Sequence, residues 1–411
     1  MSIKILHICT GFKLSFQGGI TNYVRSLAQS QYEDGNDVTV LGDDDDTKYQ
    51  FKYKGYNSRL NGFVTAPLVD KNNLKLINDF LNIEKFDIIH IHMMLNIDWD
   101  LYEILKPYRY IVSLHDYSFI CPRIIMSPKE GEICDKYNKK KCEYCISYWQ
   151  RFKLCRYISG KLSQLTGKQD NYIKFPQKVA ANRYSRFKLL LENANLVLPV
   201  SQRVLEIYKS SDINANYKVI HIGNITADSF DYSYKPYEYN RKIRFIFLGR
   251  LSYYKGVNLL MRISNDIDHS KFEIHFYGYS GQFANDIEKV NIINHGKYNQ
   301  KDLPEILKTM DAGFVLPTWE DNGPQVVMEM LNNHIPVFAT RMGGIPDFVN
   351  STNGYLFDPY DEVDFAKFMK YINNLKMKDI ILLKNNIVRP TITPEEHRLE
   401  VINIYKECLK R

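Results

Sequence analysis

Short apolar runs alternate with amphipathic stretches along most of the 411-residue chain. The first apolar run covers Lys4–Cys9, a helical pattern follows over residues 21–32, and a second strand is predicted over residues 37–41. These intervals form a βαβ unit. Apolar runs recur at FDIIHIH, RYIVSLHD and NLVLPVS, with helical patterns between them. Such runs are typical of parallel strands that helices cover on both faces.

The same alternation starts again after a polar, tyrosine-rich segment at residues 232–242, which is the predicted linker. Further strands are predicted at IRFIFLG, FEIHFYG, AGFVLPT and IPVFAT, and the last helix at residues 395–409. The predicted fold class is α/β, with two doubly wound, Rossmann-like domains that face each other across a cleft. The predicted units are residues 1–225, residues 226–393 and a C-terminal helix at residues 394–411.

The composition is that of an ordinary globular protein, with 45% hydrophobic and 25% charged residues. The start, MSIKILHICTGF, lacks the longer apolar core and the cleavage site of a signal peptide. No run approaches the roughly 18 apolar residues that a membrane span needs. These features predict a cytoplasmic protein whose cysteines are reduced thiols or metal ligands.

Positive charge is concentrated in residues 121–190, which carry a net +11 while the whole chain carries +7. Aromatic residues such as Trp149 and Phe152 lie in the same segment. Two interpretations stay open: a solvated helical face, or a surface attracted to anionic lipid headgroups or a lipid-linked phosphate. No nucleic-acid partner is predicted, because no recognised motif accompanies the charge.

Candidate chemistry follows the strands, since ligands of open α/β sheets bind at the carboxyl ends of the strands. Arg250 and Lys255 come directly after FIFLG, and a helix begins near Gly256. Two cations beside a helix N-terminus form an anion site that fits a diphosphate. The alternative is a pair of surface cations in a loop.

The stretch TWEDNGPQVVMEM holds three acidic residues. Asp321 precedes a helix predicted to begin around Gly323–Pro324, and Glu329 lies about two turns into it. Glu320 would point to the other side of an extended loop, so Asp321 and Glu329 are the predicted pair. Gly343 and Gly344 are predicted to open the next helix and to let backbone N–H groups approach a ligand.

The first domain offers fewer candidates. Gly18 and Gly19 precede a helix N-terminus, and His115 follows a strand end that should face the cleft. A site role is predicted for His115, whereas His90 and His92 are interpreted as structural.

At this point the chain resembles the retaining glycosyltransferases of the GT-B fold, in glycosyltransferase family 4. The resemblance spans nearly the whole chain and rests on GGITNYVRSLA, SLHD, LPVS, FLGRLSYYKGV, WEDNGPQVVMEML and TRMGGIPDFV. It implies a nucleotide-diphosphate sugar donor in the second domain, an acceptor on the first, and a last helix that crosses back onto the first domain.

The resemblance also implies roles for single residues. Arg250 and Lys255 would hold the diphosphate, and Glu329 would bind the ribose hydroxyls. His115 would contact the sugar near the transfer site, and Gly19 would approach the phosphates. The implied catalytic set is His115, Asp321, Arg250 and Lys255; the implied donor-binding set is Gly18, Gly19, Arg250, Lys255, Asp321, Asn322, Gly323, Pro324, Glu329, Gly343 and Gly344.

The implied mechanism is front-face attack with retention, in which a donor phosphate oxygen takes the proton of the acceptor. No Asp-x-Asp motif stands at a suitable strand end, so no catalytic metal is expected. One residue departs from the family pattern: Asp321 stands where glutamate is usual, and its side chain is about 1.5 Å shorter.

Cys121, Cys134, Cys142 and Cys145 follow the spacing Cys-x12-Cys-x7-Cys-x2-Cys. Four thiolates suit tetrahedral zinc, and Cys-x2-Cys is a usual half-site. The candidate is a structural zinc that holds the basic insertion together; the alternative is unligated cysteines in a loop.

Three functional hypotheses remain. The first is sugar transfer to a glycan or lipid-linked acceptor, in the biosynthesis of a bacterial surface polysaccharide and at the inner face of the membrane. The second is a non-catalytic GT-B partner subunit that binds a glycan or another transferase. The third is a GT-B sugar-nucleotide epimerase.

Overall fold

The computed structural model describes residues 2–9, 19–42, 52–55, 71–93, 100–128, 131–145, 176–224, 226–227 and 241–410. The predicted linker at 232–242 therefore lies almost wholly outside the described residues, as does Gly18.

Two six-stranded sheets carry the fold, and every described strand pair within them is parallel. The orders are β3-β2-β1-β4-β5-β6 and β12-β11-β10-β7-β8-β9, so both sheets have the doubly wound arrangement. The strands are β1 Lys4–Cys9, β2 Asp37–Gly42, β3 Lys52–Gly55, β4 Ile88–Met93, β5 Tyr110–Leu114, β6 Leu196–Pro199, β7 Ile243–Arg250, β8 Phe272–Tyr279, β9 Ile292–Asn294, β10 Ala312–Val315, β11 Val337–Thr340 and β12 Gly354–Phe357.

Helices fill the connections between the parallel strands. Numbered along the described residues, they are α1 Gly19–Glu33, α2 Lys71–Glu84, α3 Leu101–Leu105, α4 Pro176–Glu192, α5 Gln202–Ser210, α6 Val257–Asp266, α7 Ala284–Lys289, α8 Leu303–Lys308, α9 Gln325–Asn332, α10 Glu362–Asn374, α11 Met377–Asn385 and α12 Pro394–Lys410. In α1 the buried residues Val24, Leu27, Ala28 and Gln31 follow helical spacing and form the stripe that faces the sheet.

The C-terminal helix α12 packs on the first sheet rather than on the second. Val401, Ile404 and Cys408 share one apolar cluster with Ile5 of β1 and Val24 of α1. The phenol of Tyr405 lies 2.7 Å from Nδ1 of His90, inside the first domain. The helix thus joins the two halves of the chain by packing as well as by sequence.

The predicted fold class is confirmed. Most apolar runs became strands within one or two residues of the expected bounds, whereas β3, β9 and β12 were not predicted. The described residues contain no helix whose length and apolar character would let it cross a membrane.

Candidate functional site

A cavity of about 670 Å³ lies between the two sheets, at the carboxyl ends of their strands. The first domain contributes Gly19, at the start of α1, and His115, just after β5. The loop after β10 contributes Asp321, Asn322 and Gly323, and the helix α9 contributes Glu329. The parallel topology explains this meeting, because loops at the same edge of each sheet face one cleft.

The carboxylate of Asp321 is buried and bound to one cation. Its Oδ2 lies 2.6 Å from Nζ of Lys255, in the turn between β7 and α6. The ammonium also lies 5.9 Å above the ring of Trp319. About half of the Lys255 side chain remains exposed, and Lys255 is not among the described residues that line the cavity.

The second acid of the cavity is Glu329, in the second turn of α9. Its Oε1 accepts a hydrogen bond of 2.7 Å from Nε2 of Gln300, which also lines the cavity. Burial raises the pKa of Glu329, and the bond from Gln300 opposes that rise. Gln300 is a neutral donor, so this hydrogen bond does not neutralise the charge of the Glu329 carboxylate.

Glu320 has different surroundings from its neighbour Asp321. It is buried, and its Oε1 lies 2.5 Å from Nη2 and 3.1 Å from Nε of Arg203 on α5. Its Oε2 accepts a 3.0 Å bond from the N–H of Gly343. Glu320 therefore ties the two domains together and does not line the cavity.

Gly343 and Gly344 were predicted to offer N–H groups to a ligand, and in this arrangement both groups have partners within the protein. The Gly343 N–H is bound to Glu320, and the Gly344 N–H donates to the carbonyl of Asp321 at 2.7 Å. A Cβ at Gly343 would lie 1.9 Å from that same carbonyl, and Gly343 has φ +55°. The glycines let two loops pack together. They open a three-residue 3-10 turn at Ile345–Asp347 rather than an α-helix.

Two further placements differ from the sequence-based picture. Pro324 is the residue before α9, which begins at Gln325, and so it lies outside the first helical turn. Arg250 is exposed, with its guanidinium 5.4 Å from the ring centre of Tyr279, and it is not among the described residues that line the cavity. The shared diphosphate site of Arg250 and Lys255 stays a prediction.

His115 is buried at the wall of the cavity, where it meets both domains. Its backbone carbonyl accepts a 2.7 Å bond from Nδ2 of Asn322. Its ring nitrogen Nε2 lies 3.1 Å from Nδ1 of His92, whereas Nδ1 has no hydrogen-bond partner among the described residues. Burial lowers the pKa of His115 to about 3, so the imidazole is neutral near pH 7.

Behind His115 runs a buried chain of hydrogen bonds that sequence reasoning missed. Nε2 of His92 lies 2.9 Å from Nδ1 of His7, and Nε2 of His7 lies 2.8 Å from Oε1 of Gln31. Two features of the sequence could have indicated this chain of hydrogen bonds. Histidines occur inside two apolar strands, and a glutamine occurs among the buried residues of α1. His90 and His92, which were interpreted as structural, are both buried in this network, and neither is among the described residues that line the cavity.

Histidines and cysteines form two groups of potential metal ligands among the described residues. Among the described residues, the only group of at least three His, Cys, Asp or Glu side chains with ligand atoms within 4.8 Å is His7, His90 and His92. Ring nitrogens of this group bond to one another, to Ser113 and to Tyr405, so it is a hydrogen-bonded network.

The four cysteines of the zinc prediction lie around one small cavity. All four cysteines line one small cavity, but no three sulfurs meet the 4.8 Å limit: Cys121, Cys134, Cys142 and Cys145. Burial raises the pKa of Cys121 to about 12 and that of Cys142 to about 11. The thiols converge without closing a tetrahedral set. Cys9 and Cys408 are buried in the core.

Part of the chain resembles known glycosyltransferases in sequence. Residues 231–381 match the family model described as Glycosyl transferases group 1. Sulfoquinovosyl transferase SQD2 of Arabidopsis thaliana is 28% identical over 145 residues, which are 33% of this chain and 28% of that protein. Protein CapJ of Staphylococcus aureus is 27% identical over 192 residues, 44% of this chain and 47% of that protein. The chain thus aligns with less than half the length of these relatives.

The structural likeness extends over nearly the whole chain. HepE of Anabaena in complex with UDP has a TM-score of 0.63 and 14% identity, covering 98% of this chain and 100% of that one. The same protein was also solved with UDP-glucose. This likeness shows the GT-B fold, and together with the family model it supports a GT-B glycosyltransferase.

Proposed function

We propose that the protein transfers a sugar from a nucleotide-diphosphate sugar to an acceptor bound on the first domain. The observation that carries the proposal is the cavity between the sheets, in which two acids from the second domain and one neutral histidine from the first share a space of about 670 Å³. The match of residues 231–381 to a glycosyltransferase family and the UDP in HepE support it.

The cations would act on the leaving group. Departure of a nucleotide diphosphate builds negative charge on the phosphates, and preorganised cations beside a helix N-terminus stabilise that charge. Lys255 lies just before α6 and Arg250 ends β7, so both fit this role. In the proposed complex Lys255 exchanges some of its contact with Asp321 for the phosphates.

The acids and the histidine would bind the sugar and the ribose. Among the described residues, only the neutral amide of Gln300 bonds to the carboxylate of Glu329. This carboxylate therefore suits hydroxyl groups as ligands. Asp321 is buried at the cavity wall and would face the donor sugar. The shorter side chain of Asp321 still reaches Lys255 at 2.6 Å, which favours a working site over a vestigial one. We further propose retention without a catalytic metal.

A panel of nucleotide sugars tests the proposal. A bound donor stabilises the folded state by RT ln(1 + [L]/Kd), about 2.7 kcal/mol at 100 times Kd. We expect one class of donor to raise the melting temperature and to be hydrolysed or transferred. The variant Lys255→Ala should lose turnover, while Lys271→Ala, an exposed lysine just before β8, should keep it. Binding without any turnover would favour a non-catalytic partner subunit, and absence of binding would refute the proposal.

We also propose a glycan or lipid-linked acceptor and weak, peripheral attraction to an anionic membrane surface. The names of the matched regions support the first part: one relative is a Sulfoquinovosyl transferase, and another match comes from a cps region of Klebsiella pneumoniae. The basic segment 121–190 belongs to the first domain, where the acceptor would bind.

A structural zinc at the four cysteines remains part of the proposal. Arg123 and Lys141 line the same small cavity and bond to Cys145 and Cys134, so cations are present to offset a thiolate cluster. Small shifts of the loop would have to bring the sulfurs together. Elemental analysis of untagged protein should find about one zinc per chain, and Cys142→Ser should remove it. Absence of zinc from protein expressed with added zinc would refute this part.

A further inference from the structure

We propose that Arg183 is the buried counter-ion of the cysteine site, so that this site holds the negative charge of a divalent metal bound by four thiolates. The cysteine site is formed by Cys121, Cys134, Cys142 and Cys145. The inference rests on the zinc of the proposed function and adds the residue that stabilises its charge inside the protein. Arg183 is a positioning residue, since it acts on the metal through the thiolates.

Arg183 is a buried cation that has no anionic partner. It lies on α4 and is 2% exposed. Its Nε has no hydrogen-bond partner, and no carboxylate lies within ion-pair distance of its guanidinium, in the part of the chain that the structure describes. The guanidinium carbon lies 4.7 Å from the ring centre of Phe187, one turn further along the helix. A buried charge is costly without a partner, so an anion is expected beside it.

The face of α4 that carries Arg183 packs against the segment that holds the cysteines. The ring of Tyr184, the next residue, stacks on Tyr137 of that segment with ring centres 3.7 Å apart. Tyr137 itself lines the small cavity that the four cysteines share. Phe187 meets Phe119, which precedes the first of these cysteines, with ring centres 5.2 Å apart. These two aromatic contacts flank Arg183 and hold it beside the cysteine site.

The charges around Arg183 favour the thiols over a carboxylate as its partner. Burial lowers the pKa of Arg183 to about 10, and Cys121 opposes that fall more than Asp116 does. Cys142 also opposes it. Asp116 accepts a 2.7 Å hydrogen bond from the N–H of Ser118 and forms no ion pair with Arg183 among the described contacts. Two of the four cysteines therefore lie within electrostatic range of the buried cation.

Metal binding would supply the charge that Arg183 lacks. When four thiols bind one Zn²⁺ they release four protons, and the metal with its four thiolates carries two negative charges. Arg123 and Lys141 also lie at this site, but both reach solvent, which screens their charges. Arg183 is the buried one of these three cations, so its attraction is screened least. Disulfides carry no charge and would leave Arg183 without a partner, so the buried cation favours a metal over oxidised cysteines.

A titration of metal-free protein with Co²⁺ tests the inference, because Co²⁺ bound by thiolates absorbs visible light and zinc then displaces it. Arg183→Met keeps the length of the side chain and removes its charge. We expect this variant to bind Co²⁺ about 10–100-fold more weakly than the wild type, as is typical when a residue that supports metal ligands is lost. At saturation its absorption spectrum should match that of the wild type, because the four ligands are unchanged.

Two further variants separate charge from packing. Arg186→Met makes the same change one turn further along α4, at a residue paired with Asp100 and Glu103 at 3.2 and 3.3 Å, and should bind Co²⁺ as the wild type does. Arg183→Lys restores a positive charge and should recover most of the affinity that Arg183→Met loses. If Arg183 only filled space, methionine would serve as well as lysine.

Urea unfolding gives a second measurement that needs no absorption band. Without metal, Arg183→Met should be at least as stable as the wild type, because it removes an unpaired buried charge. Zinc should raise the urea midpoint of the variant less than that of the wild type, because the variant binds zinc more weakly.

The outcomes distinguish the two proposals. If Arg183→Met and the wild type bind Co²⁺ equally tightly, Arg183 is not the counter-ion, while the structural zinc stands. If the wild type binds neither Co²⁺ nor Zn²⁺, the zinc and its counter-ion are both wrong. No sugar or turnover enters these measurements, so they do not depend on whether the protein is a glycosyltransferase.

Discussion

At the scale of single residues, two adjacent acids have separate roles. Glu320 is buried against Arg203 of the other domain, whereas Asp321 lines the cavity and bonds to Lys255. The N–H of Asp321 donates to the carbonyl of Trp319 at 2.8 Å, so Glu320 lies at the centre of a three-residue turn that separates the two side chains. In this loop Glu320 therefore contributes to stability, and Asp321 faces the cavity in which a ligand would bind.

This separation predicts opposite effects for two matched substitutions. Glu320→Gln should reduce the free energy of unfolding by about 1–3 kcal/mol, because a charged hydrogen-bond partner of Arg203 is lost from a buried position. Glu329→Gln should leave stability nearly unchanged and weaken UDP binding by about 10–100-fold. Urea unfolding measures the first effect and calorimetry with UDP the second.

Each variant serves as the control for the other. If Glu320→Gln weakened UDP binding while its unfolding stayed at the wild-type level, the assignment of Glu320 to the domain contact would be wrong. If Glu329→Gln bound UDP normally, the nucleotide would lie elsewhere in the cleft.

At the scale of elements, the first sheet carries buried histidines on β1, β4 and just after β5. In parallel register His7 lies beside His90, so their rings meet inside the fold. Burial lowers the pKa of His7 to about 4 and of His115 to about 3, and holds that of His90 well below its usual range. The folded state therefore takes up fewer protons than the unfolded chain at mildly acidic pH.

The sign of the pH dependence follows. The stabilising contribution of these neutral histidines is complete above pH 6.5 and is lost as the pH falls from 6.5 towards 4. Each histidine can reduce the free energy of unfolding by up to about 1.4 kcal/mol per pH unit in that window. His90→Asn should reduce the difference in bound protons between the unfolded and folded states by up to one. The free energy of unfolding should then depend less steeply on pH. Urea unfolding at pH 7.5, 6 and 5 measures this pH dependence. A free energy of unfolding that stays the same across these pH values would contradict the prediction.

The C-terminal helix α12 offers a second prediction at this scale. Ile404 is buried in the cluster with β1 and α1, whereas Leu399 on the same helix is 47% exposed. Ile404→Ala should therefore lower the free energy of unfolding by about 2–5 kcal/mol. Leu399→Ala should change it by no more than about 0.5 kcal/mol. Equal effects, measured by urea unfolding of both variants, would mean that α12 does not pack on the first sheet.

The elements predicted best were those whose hydrophobic spacing is visible within their own segment of sequence. The strand Lys4–Cys9 and the helix around Val24 were predicted because hydrophobic spacing is local. The strand Gly354–Phe357 was missed, since its burial depends on pairing with β11. Among site residues, Asp321 and Glu329 are close in sequence, and both line the cavity. The pairing of Gly343 with Glu320, and the link from His115 to Gln31, depend on contacts between distant segments.

At the scale of the whole molecule, charge is divided between segments. Residues 121–190 carry +11, so the rest of the chain sums to −4. Each cation near an anionic surface contributes about 1 kcal/mol within roughly 8–10 Å at physiological salt. Lys139 and Lys140 are exposed and lie beside the cysteine cavity without lining it. A handful of such residues would give reversible, salt-sensitive attachment.

We therefore expect cosedimentation with phosphatidylserine-containing vesicles at low salt, release at high salt, and little binding to neutral vesicles. Replacing Lys139 and Lys140 by glutamate should weaken the attachment and leave donor hydrolysis unchanged. If the protein ignores both kinds of vesicle at low salt, the basic segment is a solvated face and the acceptor is not presented at an anionic surface.

The packing of α12 has a consequence for how the chain is made. Tyr405 and His90 touch although 315 residues separate them in sequence. On a ribosome adding about 5–20 residues per second, roughly 15–60 s pass between the two. During that interval the nascent first domain carries an open apolar face, to which a chaperone can bind, on β1 and α1. The segment that closes this face is translated after both sheets, so the first sheet cannot complete its packing until the second sheet has been made.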